Sequence, residues 1–450
     1  VKVTFAEPTG TVMSVFGCGY LGAVHAAAMV AVGHTVIGIE PNAQRRENLA
    51  EGRTPFFEPG FEELLGDAIA TGRLRFTDDP AAAAEATIHF LCVGTPQTAG
   101  QQKADLSYLE AAFTGLLPHL KAGDVIAGKS TVPANTAGLL NERVVEHGSG
   151  ARLVWNPEFL REGYAIEDTL RPERVVIGVG DDAEDRAAGE RLAAAYAGLE
   201  TDGPLIVTDL VTAELAKVAS NAYLATKISF INAMAELCDV AGADVSDLAD
   251  IMGADSRIGR KFLNAGIGFG GGCLPKDIRA FMHRAGELGA ADTLFFLREV
   301  DRINLQRREA VVELATVMLG GDLSGKRVTV LGAAFKPDSD DIRDSPSLAI
   351  AAALHGAGAH VRVTDPHAIR NAREASPQLD YVDDIEKACT EAELVVLLTE
   401  WRQFRDLDPA ATGELVSGRK IIDGRNVLDA AAWRAAGWEY RCLGRPRLGG

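Results

Sequence analysis

Apolar residues in the first ~200 positions fall into short unbroken runs separated by segments of helical period. Thr11–Phe16, His34–Ile39, Thr87–Val93, Asp124–Lys129, Arg152–Trp155 and Val175–Val179 read as strands. Most are apolar throughout rather than alternating, the pattern of parallel strands buried on both faces. Leu21–Val32 and Leu106–Leu116 read as helices between them, which gives the strand–helix–strand order of a doubly wound sheet. From Asp209 the pattern changes. Asp209–Ala241 has no interior Pro or Gly and predicts one long helix, capped by Asp209 and with Thr212 to Glu214 in its first turn. Helical segments continue to Leu319, and Gly320–Gly325 reads as a linker. Strand–helix order then returns: Arg327–Leu331, His360–Thr364, Leu394–Leu398 and Lys420–Ile422 are strands, and Ser347–His355 is a helix. The expected fold class is α/β: two Rossmann-like doubly wound sheet domains, residues 1–208 and 320–450, joined by a helical middle domain, residues 209–319, with one long central helix. The two sheet domains look like a distant repeat whose glycine turns differ.

At 450 residues the chain is long enough for two or three such domains. Its formal net charge of −18 argues against nucleic acid or an anionic membrane as partner, since both need a basic face. A phosphate-bearing ligand would need a local basic pocket. No apolar run reaches the ~18 residues of a membrane span, and Val1 to Gly10 does not read as a signal peptide, so a cytoplasmic protein is expected. The 6 cysteines include no CxxC pair and no Cys/His cluster, so neither a disulfide framework nor a metal site is expected.

Candidate chemistry begins where Thr11–Phe16 runs into Gly17-Cys18-Gly19-Tyr20-Leu21-Gly22, a GxGxxG between strand and helix. Its first glycine permits the turn, the second lets the backbone approach a pyrophosphate, and the third lets helix and strand pack closely. Amide donors and the helix dipole would hold the phosphates. The next strand ends at Glu40, 18 positions past Gly22, where an acid accepts the ribose hydroxyls. It also repels a 2′-phosphate, because like charges ~4 Å apart cost roughly 4 kcal/mol at an effective dielectric of ~20. NAD is therefore favoured over NADP, although the nearby Arg45 and Arg46 temper that preference.

The most informative run is Gly266-Ile267-Gly268-Phe269-Gly270-Gly271-Gly272-Cys273-Leu274-Pro275-Lys276-Asp277. Its glycines let backbone approach a ligand, and Pro275 suits a first helical position. Cys273 would then stand at a helix N-terminus, where the dipole favours thiolate; an ordinary thiol of pKa ~8.5 is only about 3% thiolate at pH 7. Lys276 could assist, and Asp277 lies one turn on. Lys217 and Asn221 share a face of the long helix and could hold a developing oxyanion. Glu158, in Asn156–Gly163 just past a strand, has Trp155, Pro157 and Phe159 around it, which would raise its pKa and suit it as a base. Cys plus NAD suggests oxidation beyond the aldehyde: a thiolate adds to the aldehyde, the thiohemiacetal loses a second hydride, and water hydrolyses the thioester.

With these motifs, and with Ser130-Thr131-Val132-Pro133, Glu214-Leu215-Ala216-Lys217, Phe335-Lys336-Pro337-Asp338, Asp341-Ile342-Arg343 and Asp423-Gly424-Arg425-Asn426, the chain resembles the UDP-glucose 6-dehydrogenase family over nearly its whole length. That family lies within the wider UDP-glucose/GDP-mannose dehydrogenases. The resemblance implies NAD-dependent, two-step oxidation of UDP-glucose to UDP-glucuronate, with GDP-mannose as the alternative sugar. It implies Cys273 as nucleophile. Lys217, Asn221 and Asp277 would handle the alcohol proton and oxyanion, Glu158 would serve thioester hydrolysis, and Thr131 and Glu162 would lie near the nicotinamide. Gly17, Gly19, Tyr20, Leu21, Gly22, Glu40, Arg45, Thr95, Thr131, Glu162, Lys276 and Arg343 would hold NAD. Glu158, Phe159, Leu160, Lys217, Asn221, Phe262, Gly270, Lys336 and Arg425 would bind the nucleotide sugar, with Arg257 reaching it from a neighbouring subunit of a homodimer built on the long helix. Departures from the family pattern are Glu40 for the commoner Asp, Gly272 for Ser, and Asn264 where some members carry Lys. Leu274 is shared with GDP-mannose members, whereas Phe262 to Gly268 is closer to the UDP-glucose branch. A one-step β-hydroxyacid-type dehydrogenase and a non-catalytic nucleotide-sugar sensor are rival readings; the first would yield one NADH per substrate, the second none.

Overall fold

A computed structural model describes residues 3–98, 100–201 and 203–445. The chain divides into two compact units. One holds the chain up to Ser220 together with Arg279–Leu288; the other holds Asn221–Ile278 and the chain from Gly289 onward.

The first unit contains strands β1 (Val12–Phe16), β2 (Thr35–Ile39), β3 (Leu74–Thr77), β4 (Ile88–Leu91), β5 (Val125–Gly128), β6 (Arg152–Trp155), β7 (Val175–Val179) and β8 (Leu205–Asp209). They form an 8-stranded sheet in the order β3-β2-β1-β4-β5-β6-β7-β8. The strands from β3 to β6 are parallel, as the unbroken apolar runs predict. The exception is β7, antiparallel to β6 through Trp155 and Gly178 and parallel to β8. Successive strand residues enter opposite cores: Val36, Ala127 and Val154 join one cluster, Ile37, Ile126 and Leu153 the other. Both faces are covered, so polar residues have no face on which to alternate. Helix Tyr20–Val32 is buried nearly all round in the first cluster.

In the second unit β9 (Arg327–Leu331), β10 (His360–Thr364), β11 (Asp380–Tyr381), β12 (Leu394–Leu397), β13 (Lys420–Asp423) and β14 (Glu439–Cys442) form a parallel sheet in the order β11-β10-β9-β12-β13-β14. This repeats the order of β3 to β6 in the first sheet. The turns correspond too: Gly17 N–H donates to Ile39 O at 2.9 Å, and Gly332 N–H to Thr364 O at 2.8 Å. After β10, Asp365 accepts Ala333 N–H (2.8 Å), Ala334 N–H (3.0 Å) and Trp401 Nε1–H (3.0 Å) on one oxygen, and His367 N–H (3.0 Å) and Ala368 N–H (2.9 Å) on the other.

The long helix spans Leu210–Ala241. Asp209 caps it as expected, accepting Thr212 N–H at 2.8 Å and Thr212 Oγ1–H at 2.6 Å. Helices Val245–Gly253 and Phe296–Met318 complete the helical part of the second unit. Among the described residues no helix is long and apolar enough to cross a membrane.

Candidate active site

Gly17 adopts φ +85°, a conformation costly for any residue with a Cβ. A Cβ on Gly22 would lie 1.9 Å from Gly17 O, whereas one on Gly19 would meet nothing within 4 Å. The first and third glycines thus pack the turn, and the second, at the start of helix Tyr20–Val32, leaves its amide face open. Glu40 follows β2 and is 2% exposed. It accepts Cys18 N–H at 3.0 Å and Asn42 N–H at 2.9 Å, with Arg45 Nη1 3.4 Å away. Arg46 is drawn off to Glu40 O (3.0 Å) and Asp78 (3.1 Å), leaving Arg45 as the cation over the acid. Glycine turn, helix start and acid fit NAD: the turn's amide donors would hold its pyrophosphate, and Glu40 would accept from its ribose hydroxyls.

The Cys92–Gln97 stretch and the Ser130–Pro133 turn follow adjacent strands, where crevices of such sheets form. Thr95 Oγ1 donates to Thr131 O at 2.7 Å, tying them together. Tyr20 bonds Glu58, and Glu58 in turn accepts Gly163 N–H (2.6 Å) and Ala165 N–H (2.8 Å). The pyrophosphate turn is so joined to the segment that carries Glu162. Burial, with the Glu58 charge, pushes the Tyr20 phenol far above its ordinary range, so it stays a neutral donor.

Glu158 is not in the apolar surroundings its sequence neighbours suggest. Its Oε2 lies 3.0 Å from Lys129 Nζ, and its Oε1 accepts Phe159 N–H (2.8 Å) and Leu160 N–H (3.1 Å). Phe159 carries two cations on its ring: Arg174 at 3.8 Å and Lys217 at 5.4 Å from the centroid. Lys217 and Asn221 stand one turn apart on the long helix.

In the second unit helix Leu274–Glu287 begins directly after Cys273, with Pro275 in its second position. Cys273 is exposed, and its carbonyl accepts Asp277 N–H at 2.9 Å, the first bond of that helix. The thiol therefore stands at the helix N-terminus, as predicted. Asp277, 2% exposed, accepts Asn221 Nδ2–H at 2.7 Å and pairs with Lys276 Nζ at 2.6 Å. Acid, amide and ammonium thus form one hydrogen-bonded set beside the cysteine turn.

Three consecutive glycines seat that turn on the segment Phe335–Pro346. A Cβ on Gly270 would strike Asp344 O at 2.4 Å, and one on Gly271 the Phe335 ring at 2.8 Å. One on Gly272 would strike the Arg343 guanidinium at 2.3–2.6 Å. Arg343 is also held by Asp341, with Nη2 2.7 Å from a carboxylate oxygen. Lys336 lies 5.5 Å from the Phe335 ring centre. Arg425 braces the turn from below, donating to Leu398 O (2.7 Å), Gly268 O (3.2 Å) and Phe335 O (3.0 Å). Phe262 is 37% exposed at φ +65°, an uncommon conformation for an aromatic residue. Arg257 is 86% exposed and bonds only its neighbour Asp255 among the contacts described.

Sequence reasoning missed Lys129 and Glu58 as parts of the site. Lys129 ends an apolar strand run, which hints at burial, but no sequence signal marks Glu58. Among the described residues no group of three or more His, Cys, Asp or Glu side chains is placed to hold a metal.

Comparison with known proteins matches the chain in three successive parts. Residues 11–199 match the NAD binding domain of the UDP-glucose/GDP-mannose dehydrogenase family, 211–306 its central domain, and 329–430 its UDP binding domain. The chain is 40% identical over 440 residues to a UDP-glucose 6-dehydrogenase of Rhizobium meliloti, covering 96% of this chain and 99% of that protein. It is 39% identical to the UDP-glucose 6-dehydrogenase TuaD of Bacillus subtilis, covering 97% and 94%. A UDP-glucose dehydrogenase structure from the hyperthermophilic archaeon Pyrobaculum islandicum is similar with a TM-score of 0.87 at 38% identity, covering 97% and 99%. Matched part by part and in order, the chain belongs to the UDP-glucose/GDP-mannose dehydrogenase family.

Proposed function

We propose that the chain is a UDP-glucose 6-dehydrogenase, oxidising the sugar CH2OH to a carboxylate with two NAD and one water per sugar and releasing UDP-glucuronate. The observation that carries the reading is the exposed Cys273 at a helix N-terminus, beside the Asn221–Asp277–Lys276 set. Bound NAD supplies the hydride acceptor in each step. Lys217, Asn221 and Asp277 handle the alcohol proton and the oxyanion through a water: the Asp277 carboxylate takes the proton, and the Lys217 and Asn221 side chains supply donors to the oxyanion. Cys273 Sγ then bonds to C6 of the aldehyde, giving a thiohemiacetal and, after its oxidation, a thioester. Water adds to the thioester carbonyl, Glu158 takes its proton, the C–S bond breaks and the thiolate is restored. Thr131 and Glu162 orient the nicotinamide end; Phe159, Leu160, Phe262, Gly270, Lys336 and Arg425 line the sugar-nucleotide site. The relatives named for UDP-glucose, at about 40% identity over nearly the full length, favour that sugar over GDP-mannose.

We infer that the working form is a homodimer built on the long helix. Tyr223, Phe230 and Leu237 recur there every seven residues and are 63%, 46% and 58% exposed, with Val240 beside them. Arg257 is then free to serve the neighbouring copy's sugar. The domain limits 1–208, 209–319 and 320–450 belong to the same reading. So does a cytoplasmic location, because thiolate chemistry needs a reducing compartment.

The test is NADH yield. UDP-glucose should give two NADH per sugar and GDP-mannose little; one NADH would indicate a single-step dehydrogenase, and none a sensor. Cys273→Ser should still bind NAD yet form no UDP-glucuronate; unchanged acid formation excludes the thioester route.

A further inference from the structure

Lys129 ends the strand β5 run, and its side chain is only 5% exposed. Its Nζ donates to Asn156 Oδ1 at 2.9 Å, stands 3.5 Å from Tyr196 OH, and lies 3.0 Å from Glu158 Oε2. Tyr196 OH donates to the same Asn156 oxygen at 2.6 Å, and Asn156 Nδ2 donates to Val176 O at 2.8 Å. The ammonium also sits 5.9 and 5.8 Å from the ring centres of Phe90 and Tyr196. Glu158 is the carboxylate it faces, and the side chain of Glu158 is more open, at 17%. The lysine therefore lies behind the carboxylate and grips one oxygen, while Phe159 and Leu160 N–H grip the other. Burial pulls the lysine toward neutrality, but the Glu158 charge and hydrogen bond, together with Tyr196 and Cys92, outweigh this and move it above the ordinary lysine range. Removing one member of such a pair leaves an uncompensated charge in the interior.

We propose that Lys129 is a positioning residue for Glu158: it holds the carboxylate in one orientation so that its open edge can take the proton of the hydrolytic water. The inference rests on the assignment of Glu158 to thioester hydrolysis. Lys129 itself touches no reacting atom. Asn156 and Tyr196 fix the lysine in turn.

The test uses the full-length protein with NAD and UDP-glucose, following NADH and the intact mass in a single turnover. E158Q should release two NADH per active site and then stall, carrying the acyl group on Cys273. K129M should bind NAD normally and accumulate the same adduct, with hydrolysis slowed about 100-fold. The double variant K129M/E158Q leaves no lone charge inside and should fold even where K129M does not. It should hydrolyse the adduct within about threefold of E158Q alone, because both changes act through one carboxylate. Native-rate hydrolysis by K129M, or a double variant far slower than E158Q, overturns the proposal. An E158Q enzyme that never accumulates the adduct removes the role of Glu158, and with it the proposal. A native protein that makes no NADH from UDP-glucose removes the functional reading instead.

Discussion

At the scale of single residues, the cysteine turn is shaped by what its glycines admit. Gly272 gives up a side chain and receives the Arg343 guanidinium in its place. Gly272→Ala should therefore cost little stability, within about 1 kcal/mol, because the displaced group is the end of a flexible side chain. Activity should fall about tenfold, and Arg343→Ala should not add to that loss, since the two changes share one contact. Thermal melts with initial rates check this; additive losses would show that Arg343 works elsewhere. The helix start at Cys273 was legible in sequence because a glycine run before Cys-x-Pro-Lys-Asp marks one, and Asn221 was legible as one turn from Lys217 on the long helix. The setting of Glu158 was not. Lys129 reads as a polar residue after an apolar strand, and nothing local says that it turns inward to meet an acid 29 residues on.

At the scale of elements, strands buried on both faces were legible, and edge strands less so. The short β3 (Leu74–Thr77) alternates Leu-Arg-Phe-Thr, and β8 lies at the margin with Leu205, Ile206 and Val207 at 45%, 42% and 54% exposure. Helix Thr136–His147 shows another limit. Its N-terminal amides are met by a distant acid: Glu214 of the long helix accepts Asn135 N–H at 2.7 Å and Ala137 N–H at 2.6 Å. Burial raises the Glu214 carboxyl from the ordinary value of 4.5 to about 7, against the opposing pull of those amides and Arg284. A carboxyl with a raised pKa favours folding most when protonated. Its contribution is full below about pH 4.5 and is lost as pH rises through about 7, on the order of 3 kcal/mol in all. Glu214→Gln should flatten the stability-against-pH curve across that window, as read by denaturant midpoints at several pH values; an unchanged slope would mean that the amides hold the acid ionised.

At the scale of the whole molecule, the apolar stripe of the long helix bears on assembly. Replacing Phe230 by Asp should weaken self-association about 100-fold or more, since a central aromatic contact commonly carries over 2 kcal/mol. Light scattering would report monomers at micromolar concentration, and a retained dimer would place the interface elsewhere. The repeat of the sheet domain was visible in the sequence as a return of strand–helix alternation, and its shared strand order only in the structure. The divergence of their crevices was visible only in part. Asp365 holds in the second sheet the place of Glu40 in the first, but its two oxygens take five N–H donors, from Ala333, Ala334, His367, Ala368 and Trp401, where each Glu40 oxygen takes one backbone N–H beside the more distant Arg45. A ribose arriving there would have to evict a donor, so of the two sheet turns the first is the one fitted to a dinucleotide. A four-electron oxidation served by that turn alone must pause while spent cofactor leaves and fresh cofactor docks. On the role proposed for Cys273, its bond to the half-oxidised sugar would keep that sugar from drifting away during the pause, a mooring line as well as a reagent.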